Sequence, residues 1–179
     1  MLQLIINFEE NFYTMEKSID ILKLAILMEK RGQAFYKKVA NETENEDVKK
    51  IFDMMAKEEV IHEKFLMDQL AHLHNNHSFE LKDYPKESDN NIAELILTDK
   101  ITSSLSSAGF EAAAISAAID MENKAIEVYS KRAEETDDPN EKKLYLWLAD
   151  WEKTHHKILY QLDQELKEKI WYDNSFWPF

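Results

Sequence analysis

The chain is close to a copy of itself. Shifting residues 17–74 forward by 93 positions brings many of them onto like residues in the second half, with no gap. Ala25 falls on Ala118, Ile26 on Ile119, Met28 on Met121 and Glu29 on Glu122. Tyr36 falls on Tyr129, Thr43 on Thr136, Glu59 on Glu152 and His62 on His155. The match runs through a short polar turn in each copy. A repeat this regular predicts two like units related by a pseudo-twofold axis.

Each unit reads as a helical hairpin. Apolar residues recur at helical spacing over about 17–41 and 46–74, and again over about 109–135 and 139–169. The connections at 42–45 and 135–138 are short and polar, which forces antiparallel neighbours. Asp138, Pro139 and Glu141 form a helix start: an acidic cap, proline at the first helical position and a capping-box glutamate. With only 2 glycines and 3 prolines, the chain has few places to turn. Residues 75–108 differ. They are polar, hold Pro85, and show weak periodicity apart from Ile92 to Leu97, where a short extra helix is expected. They read as a crossover to the other end of a bundle. The expected fold is therefore all-α, one domain over 1–179. It is a four-helix bundle of two duplicated hairpins, 17–74 and 109–169, joined by one long crossover in the ferritin-like manner.

Composition excludes several functions. A formal net charge of −13 makes nucleic acid and anionic membranes poor partners. The absence of cysteine removes disulfides, iron–sulfur clusters, thiolate zinc sites and cysteine nucleophiles. Any metal must be held by carboxylate and imidazole, which suits iron, manganese or zinc. Residues 1–14 lack the basic start and long apolar core of a signal peptide, and no run of about 18 apolar residues occurs. A cytoplasmic location is expected, with Met15 as an alternative start.

Each half contributes one glutamate from its first helix and a Glu-x-x-His from its second, Glu59 with His62 and Glu152 with His155. Residues three apart share a helix face, so each pair can grip one ion. The midpoint of 29 and 59 lies in the first turn, and that of 122 and 152 in the second. Arms of about 20 Å at ~1.5 Å per residue then bring Glu29 level with Glu59, and Glu122 level with Glu152. The pseudo-twofold gathers four carboxylates and two imidazoles at mid-bundle, the di-iron or di-manganese carboxylate pattern. Four buried carboxylates would repel and lose hydration, and two divalent cations cancel them.

The segments 25–36 and 118–129, with the two Glu-x-x-His helices, resemble the rubrerythrin family within the ferritin-like superfamily. The resemblance covers both hairpins. It implies two iron ions, with Glu29 and Glu122 as mainly terminal ligands, Glu59 and Glu152 as bridging ligands, and one histidine on each ion. Two departures stand out. Full-length rubrerythrins append a four-cysteine rubredoxin domain that delivers electrons, so the electron donor expected here is a separate protein. They also carry an extra glutamate three residues after the third-helix ligand. That position is Ala125 here, and its repeat mate is Gly32. These two small residues are expected to line a pocket where dioxygen or hydrogen peroxide approaches, or simply to let helices pack closely.

Tyr36 and Tyr129 lie two turns beyond the first-helix glutamates and face the same interior. Each buried phenol needs a partner, and a ligand carboxylate of the facing hairpin is the expected one. Other signals carry less. His72, His74 and His77 cluster at the end of the second helix, and His156 points away from its ligand neighbour. The aromatic tail, 170–179, would be costly if exposed and is expected to pack on the bundle or across a homodimer.

The reading is a di-iron redox protein that oxidises iron(II) or reduces hydrogen peroxide or dioxygen, in oxidative-stress defence or iron handling. The alternatives are a manganese catalase-like enzyme, a ferroxidase for iron storage and a non-enzymatic metal-binding bundle.

Overall fold

The computed structural model describes residues 2–85 and 109–173, with side chains described for 15–85 and 109–168. Four helices account for most of them: α1 (Leu2–Glu42), α2 (Glu46–Asn76), α3 (Phe110–Glu135) and α4 (Pro139–Asp173). No strand occurs among the described residues. Helices α1 and α2 pack as one hairpin, α3 and α4 as the other, and the two hairpins form a four-helix bundle.

Two helices are longer than their periodicity suggested. Helix α1 begins at Leu2 rather than near 17, and α4 runs on to Asp173. No proline precedes Pro85, and none follows Pro139 until Pro178, so nothing in either stretch breaks a helix once begun. The short helix expected near Ile92 to Leu97 lies outside the described residues, as does the tail beyond 173.

The repeat is reproduced bond for bond in the two turns. Asn45 Oδ1 accepts from the backbone N–H of Asp47 and Val48, at 3.0 and 3.1 Å. Its repeat mate, Asp138, accepts from Asn140 and Glu141 at 2.8 and 3.0 Å. Thr43 and Thr136 likewise accept from the backbone N–H two residues on, at 3.1 and 3.2 Å. These caps satisfy the open donors at the start of α2 and α4 and end the preceding helices at matching points.

The turns lie at opposite ends of the bundle. Thr43 hydrogen-bonds Glu111 at the start of α3, while Arg132 and Glu141, beside the second turn, bind Ser18 on α1. One apolar core, around Val48, Phe52, Ile115 and Leu162, fills the first end. Another, around Leu22, Leu73, Tyr145 and Leu148, fills the second. Between them lies a polar middle.

The chain leaves α2 through His77, whose φ of 56° is left-handed and whose N–H returns to Leu73. The beginning of the crossover is then tied down. Phe79 joins the second core, buried Gln69 bonds both backbone groups of Glu80, and Trp147 donates to the carbonyl of Pro85.

Candidate metal centre

Six ionisable side chains meet in the polar middle: Glu29, Glu59, His62, Glu122, Glu152 and His155. None is more than 4% exposed, so water does not neutralise them and they must compensate one another. They fall into two overlapping groups whose donor atoms lie within 4.8 Å of one another. One is Glu29, Glu59, His62 and Glu152; the other is Glu59, Glu122, Glu152 and His155. Glu59 and Glu152 belong to both groups, while Glu29 and Glu122 each belong to one.

Both imidazoles turn Nδ1 toward the carboxylates. His62 Nδ1 lies 3.1 Å from Glu29, 3.2 Å from Glu152 and 3.6 Å from Glu59. His155 Nδ1 lies 3.0 Å from Glu152, 3.4 Å from Glu122 and 3.5 Å from Glu59. The rings sit 5.9 Å apart. The two phenols close the constellation from the facing hairpin: Tyr36 donates to Glu122, and Tyr129 donates to Glu29.

Without a cation, protons take over part of the neutralisation. Burial, reinforced by the charge of Glu152, raises Glu122 well above the usual carboxylate range. Burial and the charges of Glu59 and Glu152 do the same to Glu29. Burial opposes charge on the imidazoles, but the surrounding carboxylates outweigh it and hold His62 and His155 well above an ordinary histidine. Burial also opposes ionisation of Glu59 and Glu152, yet a hydrogen bond from Glu29 and then those from the two imidazoles keep Glu59 low, and the charge of His62 with hydrogen bonds from both imidazoles keeps Glu152 low. In the metal-free cluster Glu29 and Glu122 thus favour the neutral form, Glu59 and Glu152 the ionised form, and both imidazoles the charged form. Divalent cations would supply the compensation that these protons otherwise provide. Glu152 Oε1, buried at the centre, has His62 Nδ1 at 3.2 Å as its ion-pair neighbour but no hydrogen bond of good geometry. Carboxylate oxygen plus imidazole nitrogen is a donor set for iron, manganese or zinc.

A cavity of about 160 Å³ opens over the cluster between α1 and α3. Its wall includes Gly32, Ala125, Met28, Met121 and the carboxylates Glu29, Glu59, Glu122 and Glu152. Gly32 and Ala125 therefore border open space beside the centre. Close packing acts at Gly32 as well, because a Cβ there would stand 3.3 Å from Glu59 Cδ.

Sequence reading missed three residues around the imidazoles. Glu58 Oε2 lies 2.7 Å from His155 Nε2, and Trp147 and Trp151 make T-shaped contacts with His62. The available signal was a break in the repeat, since Glu58 and Trp151 are mates. Among the described residues, His72, His74 and His77 form no shared-ion group. His77 closes α2 instead, and His156 stacks on Tyr160.

The family model described as Rubrerythrin matches residues 20–163. Comparison with the curated proteins and with the solved structures found no match.

Proposed function

The chain belongs to the rubrerythrin family, and from that premise we propose that the mid-bundle cluster holds two iron ions and acts as a redox centre toward dioxygen or hydrogen peroxide. The single observation carrying this reading is the overlap of the two donor groups at Glu59 and Glu152. Two carboxylates shared between neighbouring groups are what a bridged pair of cations requires. Glu29 and His62 would complete one position, and Glu122 and His155 the other.

When bound, the ions supply the electrons that a small oxidant takes up. The chain's own residues supply the rest. Glu29 and Glu122 hold a proton in the metal-free state and release it as a cation enters. Tyr36 and Tyr129 restrain these two carboxylates from across the bundle. The cavity beside Gly32 and Ala125 admits a diatomic molecule, since one water takes only about 30 Å³ of liquid. The apolar cores at each end exclude bulk water from the remaining faces. Electrons to restore the ferrous state would come from a separate donor protein, since the chain has no cysteine to hold an iron–sulfur relay.

Anaerobic iron(II) loading followed by rapid mixing tests the reading. Expected are two irons per chain, with oxidation by peroxide or dioxygen giving a coupled di-ferric spectrum. A chain that takes up no iron under these conditions refutes the proposal. Uptake of manganese with oxygen evolution from peroxide would replace it by the catalase reading.

A further inference from the structure

The repeat that builds the centre fails beside it, at Glu58 and Trp151. On one side, Glu58 Oε2 lies 2.7 Å from His155 Nε2. Where the second half would carry its own carboxylate there is an indole, and Trp151 Nε1 donates to that same Glu58 oxygen at 3.3 Å. On the other side, His62 is wholly buried and its Nε2 has no hydrogen-bond partner among the described residues. Its ring packs against Trp151 and Trp147, with centroids 5.0 and 5.4 Å away. The rest of the surroundings match. Each Nδ1 faces three carboxylates, each terminal glutamate receives one phenol, and both positions share Glu59 and Glu152.

We propose that the two ion positions are unequal, and that Glu58 makes the His155 position the one that fills first. This rests on the reading that the cluster holds two divalent cations. An imidazole offers Nδ1 to a cation only when its remaining proton sits on Nε2. A carboxylate that accepts from Nε2–H fixes that tautomer, orients the ring and makes Nδ1 more basic. His155 has this partner. His62 must bury an N–H with no oxygen to receive it, and on its Nε2 side only indole packing orients the ring. Losing such an outer partner costs about 10–100-fold in metal affinity. The His155 position should therefore bind a first cation tighter than the His62 position by a factor in that range. Glu58 acts through His155 and is a positioning residue.

Zinc(II) is a suitable probe because it is diamagnetic and suits the same donors. Metal-free protein labelled with ¹⁵N is titrated with zinc while long-range proton–nitrogen spectra follow the imidazole nitrogens, assigned from single histidine variants. The expected result is that His155 Nδ1 shifts during the first equivalent and His62 Nδ1 during the second. In Glu58→Gln the precedence should vanish, with first-equivalent affinity about tenfold lower and the second unchanged. A purely structural role for Glu58 would not alter the order of filling. Simultaneous shifts in the native chain overturn the inference, as does an unaltered order in Glu58→Gln. A chain that binds no zinc overturns the metal centre itself, and this inference with it.

Discussion

Tyr36 on α1 hydrogen-bonds Glu122 on α3, and the second half returns the bond from Tyr129 to Glu29. Each hairpin thus braces a carboxylate belonging to the other. Burial and the adjacent carboxylate keep both phenols protonated well beyond the ordinary tyrosine range, so they act as donors only. Tyr36→Phe keeps the ring and removes the bond. A hydrogen bond to a charged group is worth about 1.5–3 kcal/mol, and the metal-loaded protein should lose stability in that range. Tyr129→Phe should match it, because the two bonds are equivalent. Thermal unfolding of both variants, with and without zinc, measures this. Unequal losses would show that the phenols are not equivalent braces.

Metal entry should release protons. Glu29, Glu122, His62 and His155 all hold theirs more tightly than usual in the metal-free cluster, and all must give them up to coordinate. More than one proton per pair of cations is expected to be released at neutral pH. Affinity should therefore rise steeply as pH increases. Calorimetric titration in buffers of different ionisation enthalpy counts the protons directly. A release below one proton per pair would show the cluster to be already deprotonated.

The same shifts set the pH dependence of metal-free stability. Groups raised in the folded state contribute stability that is complete below their unfolded pKa and disappears as pH rises through the folded one. That applies to Glu29 and Glu122 above about 4.5 and to both histidines above about 6.5. Glu59 and Glu152 are lowered, so their contribution is complete above about 4.5 and lost as pH falls. The metal-free chain should be most stable in mildly acid solution and weaken toward alkaline pH. Zinc should remove the alkaline loss. Denaturant melts from pH 4 to 9 would expose the opposite trend if the protonation pattern were different.

The repeat made the hairpins, their turns and the six central residues legible, because one offset carried every feature through both halves. What it concealed was where the halves differ. Glu58 is one glutamate among many on a helix until α4 is packed against α2, where Trp151 meets it. The broken repeat marks these two positions, but their meeting depends on tertiary contact between α2 and α4, which spacing along one helix does not report. The start of α1 and the end of α4 were hidden for another reason. Helical periodicity reports the face that packs, and it fades where a helix outlasts its partner, although nothing stops the helix itself.

The space beside Gly32 should control access. A leucine there would fill the cavity and press on Glu59, whose Cδ already lies 3.3 Å from where a Cβ would sit. An oxidant held even 1 Å from its productive position loses up to about 10²-fold in rate. Gly32→Leu should therefore slow oxidation of the iron-loaded protein by an order of magnitude or more. Stopped-flow traces with peroxide provide the comparison, and unchanged kinetics would remove the cavity from the oxidant's route.

Glutamine substitutions should divide the four glutamates into two classes. In the metal-free chain Glu29 and Glu122 hold a proton, so a neutral amide of the same shape imitates the state already present. Glu29→Gln and Glu122→Gln should therefore cost the metal-free protein less stability than the same change at Glu59 or Glu152. Glu59 and Glu152 are ionised and offset two buried imidazolium rings. Removing either takes an anion from beside both rings, so these two variants should lose more stability than the first two. All four changes should weaken cation binding, because each removes an anionic oxygen. Two should weaken the empty protein more than the others. Chemical denaturation of the four metal-free variants at neutral pH separates the classes. Equal losses across the set would mean that the protons lie elsewhere in the cluster.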